Sequence, residues 1–221
     1  MTLSIRALTI PFIFLFDCIF IVLCILAGGE RYWDHISYEH SHLTWLSSLQ
    51  LFFIGTTCLT IWIGKSNNRL DLKKLKQFWL WPFLGFSFIF LSLDEKFQIH
   101  ERLREGVFKP NHIGTNLPGI GAGDFLHILF AVIGLALSYF IYKQIKKNKI
   151  ALIYLILALI ISLYTVISDA FSEIPNLNSS QTYIEIFRFH QFTEEILEIL
   201  AQLFFFSTFY EYKRTYQKEK V

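Results

Sequence analysis

The chain has 221 residues, of which 53% are apolar and 17% are charged, and 24 of them are phenylalanine. This composition excludes a disordered chain, and a net charge of only +2 gives no indication of a nucleic-acid partner. The length and the positive mean hydropathy instead predict a single integral membrane domain over residues 1–221, surrounded by the lipid bilayer.

Six long apolar segments predict an all-α fold, a bundle of six transmembrane helices. The segments cover residues 8–29, 43–64, 78–95, 125–142, 150–170 and 193–210. Arg6 precedes the first segment, as in a signal peptide, but the apolar part is longer than such peptides have. We therefore expect the first segment to be retained as a membrane anchor.

The lysines and arginines indicate the orientation of the bundle. They are concentrated around residue 6 and in 65–77, 143–149 and 213–220, and with six spans these places all fall on one side. The positive-inside rule makes this side cytoplasmic, so both termini are predicted inside the cell. All seven histidines and most acidic residues fall on the opposite side, and we expect a functional face there, outside the cytoplasmic membrane of a bacterium.

The longest external connection runs from Glu105 to Asp124 and is rich in glycine and proline. Such a segment is not expected to form a helix, because glycine and proline both disfavour helix interiors. We predict an irregular loop that covers the outer face of the bundle.

The third apolar segment ends in an acidic stretch that contains a histidine, LDEKFQIHE at 93–101. The apolar part is shorter than the ~20 residues that cross a bilayer, so Asp94 and Glu95 are expected at the membrane boundary. On a helix that continues without a break, Asp94 and Glu101 share one face and His100 lies beside Glu101. Carboxylates at this depth usually face a bundle interior or a water-filled cavity, which indicates a site.

The sixth apolar segment begins with a similar group of polar residues. His190, Glu194 and Glu198 are spaced i, i+4, i+8 and form one stripe, and Glu195 lies on a neighbouring face. A histidine and a glutamate one helical turn apart can converge on one divalent ion. The sequence therefore indicates metal ligands on this helix as well.

Other helix ends add candidates at the same predicted depth, namely His127 near the start of the fourth segment and Asp169 with Glu173 at the end of the fifth. Closely packed carboxylates repel one another, so a bound cation or a shared proton is expected to compensate them. The alternative is a structural charge network, in which the acids cap helices or pair with nearby arginines and lysines.

Asp17 lies near the middle of the first apolar segment. A lone acid at this depth indicates a functional site by default. The alternative is a protonated side chain that is hydrogen-bonded to a neighbour such as Ser87 or Thr57.

The stretches LDEKFQIHE at 93–101 and EEILE at 194–198 resemble the L-D-E-x4-H-E and E-E-x-x-E segments of small bacterial multi-pass membrane proteins of unknown function. More loosely, the chain is similar to transmembrane zinc hydrolases of the alkaline ceramidase and adiponectin-receptor type, which implies a divalent metal. Those proteins have seven helices and a His-xxx-His pair in the last one. This chain has six apolar segments, with His190 and Glu194 in the corresponding place.

These patterns predict a metal-dependent membrane hydrolase that acts on lipid or on a small-molecule substrate at the outer leaflet. The predicted ligands of Zn²⁺ or a similar divalent ion are His100, Glu101, His127, His190 and Glu194. Either Glu95 or Glu198 is the predicted catalytic base, which accepts a proton from water bound to the metal. The predicted supporting acids are Asp94, Asp169 and Glu173.

Two alternatives remain open at this point. The first is a cation or proton-coupled transporter, in which Asp17 and the outer acids form the path of the ion. The second is a non-catalytic membrane subunit whose outer face binds a partner.

Overall fold

The computed structural model of the chain describes residues 5–29, 31–32, 36, 41–66, 78–113, 125–172 and 181–218, and the side chains of 5–7, 125–127, 169–172, 181–187 and 218 lie outside this description. Within it the chain forms only helices, turns and short connections. The helices are α1 (Ile5–Gly28), α2 (His42–Lys65), α3 (Leu80–Phe97), α4 (Ile99–Leu103), α5 (Phe125–Ile145), α6 (Lys149–Ser172) and α7 (Gln181–Lys218). The predicted all-helical class is confirmed for these residues.

Among the described residues, four helical stretches are long and apolar enough to cross a membrane: Leu8–Gly28, His42–Lys65, Ile128–Ile145 and Lys149–Ser168. Large apolar side chains are exposed on all four of these helices, as at Leu26, Phe53, Leu135 and Ile160, which suits contact with lipid. The predicted third and sixth spans lie on α3 and α7, which are helical but carry acidic residues.

Helical structure continues beyond α4 as one π-helical turn, Arg104–Phe108. The expectation of an irregular chain from Glu105 onward is therefore wrong for these residues. The first proline of the connection is Pro110, so the residues before it keep the N–H groups that a helical turn needs. The N–H of Lys109 donates to the carbonyl oxygen of Arg104 at 2.9 Å. Residues 114–124, the rest of the predicted cover, lie outside the described part of the chain.

Most helices in contact run in opposite directions, whereas α2 and α7 run parallel, as the contacts of Ser47 with Gln202 and of Gly64 with Tyr216 show. Asn148, directly before α6, contacts Thr215 near the end of α7 at 2.8 Å, whereas Ser168 near the end of α6 contacts His190 early in α7 at 2.7 Å. In the same way, α1 is antiparallel to α2 and to α7, and α2 is antiparallel to α3. The basic turn at 146–149 and the acidic end of α3 therefore lie at opposite ends of the bundle.

The centre of the bundle is α2, which packs against α3 and α7. Its closest approach is to α3, where Gly55 faces Gly85. A Cβ atom added at Gly55 would lie 2.8 Å from the carbonyl oxygen of Gly85 and 2.8 Å from Cγ1 of Ile89. Small residues allow such approaches between membrane helices, where van der Waals packing replaces the hydrophobic effect. The glycine pair thereby sets the distance between α2 and α3.

Aromatic rings join α3 to α7. The ring of Trp81 stacks on Tyr212 with centroids 5.0 Å apart, and Phe88 packs against Phe205 and Phe209 at 5.9 and 6.0 Å. Such ring pairs contribute about 0.5–1.5 kcal/mol each beyond the area they bury. The two helices that carry the predicted acidic residues are thus held side by side.

The substitution Gly55→Ala is expected to lower the thermal stability of the protein, because the added methyl group meets the backbone of α3. We expect a loss of about 1–3 kcal/mol, the usual cost of overpacking. Gly134→Ala is the matched control, since a Cβ at Gly134 in α5 meets nothing within 4 Å. Thermal unfolding in detergent, followed by circular dichroism, measures both variants, and equal melting temperatures for the two would contradict this account of the crossing.

Candidate functional site

The site begins where α3 ends, at Gln98. This residue has φ 55° and ψ 45°, the left-handed conformation, and its N–H donates to the carbonyl oxygen of Asp94 at 2.6 Å. The unbroken helix predicted through Glu101 is therefore wrong. The physical reason is that the carboxylate of Asp94 competes with the helix backbone for the N–H of His100, which it accepts at 2.8 Å.

Both carboxylate oxygens of Asp94 contact His100. While Oδ1 accepts the backbone N–H of His100, Oδ2 lies 2.8 Å from Nδ1 of the His100 ring. Asp94 is buried, with 5% of its surface exposed. Loss of such a helix-capping interaction typically costs about 0.5–2 kcal/mol. The two bonds fix the orientation of the ring, and Nε2 then lies 3.6 Å from Oε1 of Glu101.

The pKa of His100, which follows the predicted third span, lies above its ordinary value. Burial alone would lower this pKa, because it disfavours the charged imidazolium. The hydrogen bond and the negative charge of Asp94 raise it, with smaller contributions from Glu101 and Glu95. The raised pKa shows that the imidazole lies in a negative electrostatic field, and such a field attracts cations.

Further carboxylates surround this histidine. Glu95 accepts a hydrogen bond from the Ser47 hydroxyl of α2 and interacts electrostatically with His100 and Glu101. Glu195 of α7 is affected by the negative charges of three neighbouring carboxylates, those of Glu95, Glu101 and Glu194. We call the residues Asp94, Glu95, His100, Glu101, Glu194 and Glu195 the acidic cluster. It lies at the end of the bundle opposite to the basic turn.

His190 joins the edge of the acidic cluster. Its Nε2 atom lies 2.7 Å from the hydroxyl of Ser168 in α6, and its Nδ1 atom lies 3.8 Å from Oε2 of Glu194. The Ser168 contact is not apparent from the sequence, although the polar pair Ser168-Asp169 at the end of an apolar helix is a signal that could have indicated it. His190 therefore connects α6 to the helices that carry the acids.

The remaining predicted site residues are only partly described. Glu198 lies one helical turn after Glu194 in α7 and is half-buried. His127 lies in the first turn of α5 and Asp169 in the last turn of α6, but their side chains are outside the described part, as is the whole of Glu173. The structure thus brings together the predicted residues of α3, α4 and α7.

In their present rotamers, no three His, Cys, Asp or Glu side chains of the described residues form a ready-made metal site. One pair nevertheless has the separation that two ligands require. Ligand atoms about 2.0–2.1 Å from a tetrahedral zinc ion lie about 3.4 Å from each other, close to the 3.6 Å between Nε2 of His100 and Oε1 of Glu101. Asp94 on the other ring nitrogen matches the carboxylate that usually supports a metal-bound histidine.

Asp17 lies inside the bundle, apart from the acidic cluster. It is buried and accepts a hydrogen bond from Nε2 of Gln50 at 2.8 Å. The expectation of Ser87 or Thr57 as its partner is therefore wrong. The partner lies on α2 because α1 packs antiparallel to this helix, as the contact of Phe20 with Trp45 also shows.

The chain matches the model of one protein family, described as a domain of unknown function, DUF8692, over residues 13–211. The matched range contains Asp17 and the whole acidic cluster. No curated protein matches the chain, and no solved structure matches it.

The substitution Asp94→Asn is expected to lower the pKa of His100, because it removes the charge that contributes most to the imidazolium's stabilisation. The control Glu105→Gln should leave this pKa unchanged, since Glu105 is exposed and pairs with Lys109 at 2.7 Å. NMR titration of protein with isotope-labelled histidine measures the pKa, and the His100→Gln variant assigns the signal. An unaltered pKa in Asp94→Asn would contradict the assigned geometry.

Proposed function

We propose from the site itself that the chain, which belongs to the DUF8692 family, is a membrane-embedded, metal-dependent hydrolase. The observation that carries the proposal is the arrangement of Asp94, His100 and Glu101. Asp94 holds Nδ1 of the His100 ring at 2.8 Å, and Nε2 lies 3.6 Å from the Glu101 carboxylate. The distance between Nε2 of His100 and Oε1 of Glu101 is close to that between two ligand atoms of one divalent ion.

The charge of the acidic cluster supports a divalent ion over a structural role. Glu95, Glu101, Glu194 and Glu195 act on one another through their negative charges. Two unit charges 4 Å apart interact by about 4 kcal/mol at an effective dielectric constant near 20, so several neighbouring carboxylates destabilise one another. A cation between α3, α4 and α7 attracts each of these carboxylates and so offsets their mutual repulsion.

The ligand set proposed for this ion begins with His100 and Glu101. From α7, Glu195 interacts electrostatically with Glu101 and with its neighbour Glu194, and Nδ1 of His190 lies 3.8 Å from Oε2 of Glu194. This Nδ1 atom is buried without a hydrogen-bond partner among the described residues, so it is the nitrogen proposed to bind the ion. His127 of α5 completes the proposed set, with Zn²⁺ or a similar ion as the metal.

A divalent ion at this place supplies a Lewis acid that favours the ionisation of water near neutral pH. The chain supplies the acceptor of the released proton. Glu95 is oriented by the Ser47 hydroxyl and lies within the cluster, and Glu198 lies one turn after Glu194, so either can act as the general base.

The proposed orientation has six spans, with the acidic cluster on the external side of a bacterial cytoplasmic membrane. The alternating helix directions support it, since they collect Lys65, Lys143 and the 146–149 turn at one end. The positive-inside rule assigns that end to the cytoplasm. A site at the opposite end, among helices with exposed apolar side chains, suits a lipid or another substrate of the outer leaflet.

Cation transport is the second candidate function. It is favoured by one specific observation, the buried carboxyl group of Asp17 inside the bundle with Gln50 as its partner. A hydrolase confined to the acidic cluster does not require this group.

Elemental analysis of the purified protein tests the metal site. We expect a stoichiometric divalent metal in the wild type, and the variants His100→Ala, Glu101→Gln and His190→Ala should each bind it about tenfold or more weakly. Glu105→Gln is the matched control, because it removes a carboxylate outside the cluster. Wild-type protein without metal after incubation with zinc, or His100→Ala with undiminished content, would contradict the proposal.

A further inference from the structure

A second polar group lies in the interior of the bundle, between α1, α2 and α7. Asp17 of α1 has 4% of its surface exposed and Gln50 of α2 has 7%. Nε2 of Gln50 donates to Oδ2 of Asp17 at 2.8 Å. Ile54, one turn further along α2, is completely buried. A carboxyl group in such apolar surroundings is costly and is usually retained for function.

Three oxygen atoms of this group lack a hydrogen-bond donor among the described residues. They are Oδ1 of Asp17, Oε1 of Gln50 and Oε1 of Gln202. Gln202 uses its Nε2 atom to donate to the Ser47 hydroxyl at 2.7 Å, which leaves its carbonyl oxygen without a donor in the same way. A buried acceptor without a partner typically costs about 1–3 kcal/mol. Three such acceptors on three adjacent helices indicate a missing positive partner.

The three side chains lie at one level of the bundle. Ser47 and Gln50 are spaced i, i+3 and therefore lie on one face of α2. The antiparallel helices α1 and α7 are aligned by the contact of Thr9 with Tyr210 at 3.0 Å. Asp17 follows Thr9 by eight positions and Gln202 precedes Tyr210 by eight positions, so the two side chains occupy the same depth.

We propose that Asp17, Gln50 and Gln202 form a binding site for a monovalent cation such as Na⁺. One carboxylate and two amide carbonyl oxygens are hard oxygen ligands, which suit hard cations. The single negative charge of Asp17 balances one positive charge. A divalent ion would leave a net positive charge in apolar surroundings, which is strongly unfavourable.

Ser47 links this interior site to the acidic cluster. Its hydroxyl accepts from Gln202 and donates to Glu95. Only the Ser47 side chain therefore lies between Glu95 and Gln202. The negative charge of the acidic cluster attracts cations to this end of the bundle. The interior site gives the transport candidate a defined place for the ion, and it does not depend on a metal in the acidic cluster.

Thermal unfolding in detergent at constant pH and ionic strength tests the site, with NaCl exchanged against N-methyl-D-glucamine chloride. A ligand that binds only the folded protein raises its melting temperature with concentration. We expect the wild type to melt at higher temperature as Na⁺ rises, and Asp17→Asn to lose this dependence. Ser138→Ala is the control and should keep it, because the Ser138 hydroxyl is exposed and bonds only within its own helix.

A second variant keeps the test decisive if Asp17→Asn does not fold. Gln202→Met preserves the length of the side chain and removes its carbonyl oxygen. We expect this variant to need at least ten times more Na⁺ than the wild type for the same rise in melting temperature. The proposal is overturned if Asp17→Asn and Gln202→Met respond to Na⁺ as the wild type does. It is also overturned if the melting temperature of the wild type does not respond to Na⁺. If that temperature changes with pH instead, in a separate titration, Asp17 binds a proton and not Na⁺.

Discussion

The carboxylate of Asp94 determines the geometry of the acidic end. It accepts hydrogen bonds from the backbone N–H and from the Nδ1–H group of His100, at 2.8 Å each, and so ends α3 and starts α4. In a regular helix the N–H of His100 would donate to a backbone carbonyl oxygen, and the His100 ring would be free to rotate. The break at Gln98 instead turns His100 and Glu101 toward each other. Hydrogen bonds to charged groups contribute about 1.5–3 kcal/mol, enough to maintain a left-handed glutamine that costs about 1–2 kcal/mol.

Packing far from the cluster decides which side chains meet there. The approach of Gly55 to Gly85 brings α2 and α3 together, and the aromatic contacts around Trp81 bring α3 to α7. Because these contacts fix the depth of each helix, Ser47 of α2 lies between Glu95 and Gln202. The acidic cluster and the interior group around Asp17 are therefore two parts of one polar path along α2, within an otherwise apolar bundle.

Part of this arrangement could be predicted from the sequence. The apolar runs predict where the helices lie, and the shortness of the third and sixth runs places their acids at similar depth. The sequence also singles out Asp17. It does not predict Gln50 as the partner of Asp17 or Ser168 as the partner of His190, because partners across helices depend on how each helix is rotated. The break at Gln98 was equally unpredictable, since Asp94 acts across six positions, a spacing that no local capping pattern contains.

We propose that His100 and Glu101 bind one divalent ion, and that Asp94 orients the His100 ring for this binding. Anomalous X-ray scattering at the zinc edge from crystals of the zinc-loaded protein locates such an ion directly. We expect a peak about 2.0–2.2 Å from Nε2 of His100 and from a carboxylate oxygen of Glu101, with Asp94 still hydrogen-bonded to Nδ1. A peak bound elsewhere, or a fully zinc-saturated crystal without a peak between these two side chains, would contradict it.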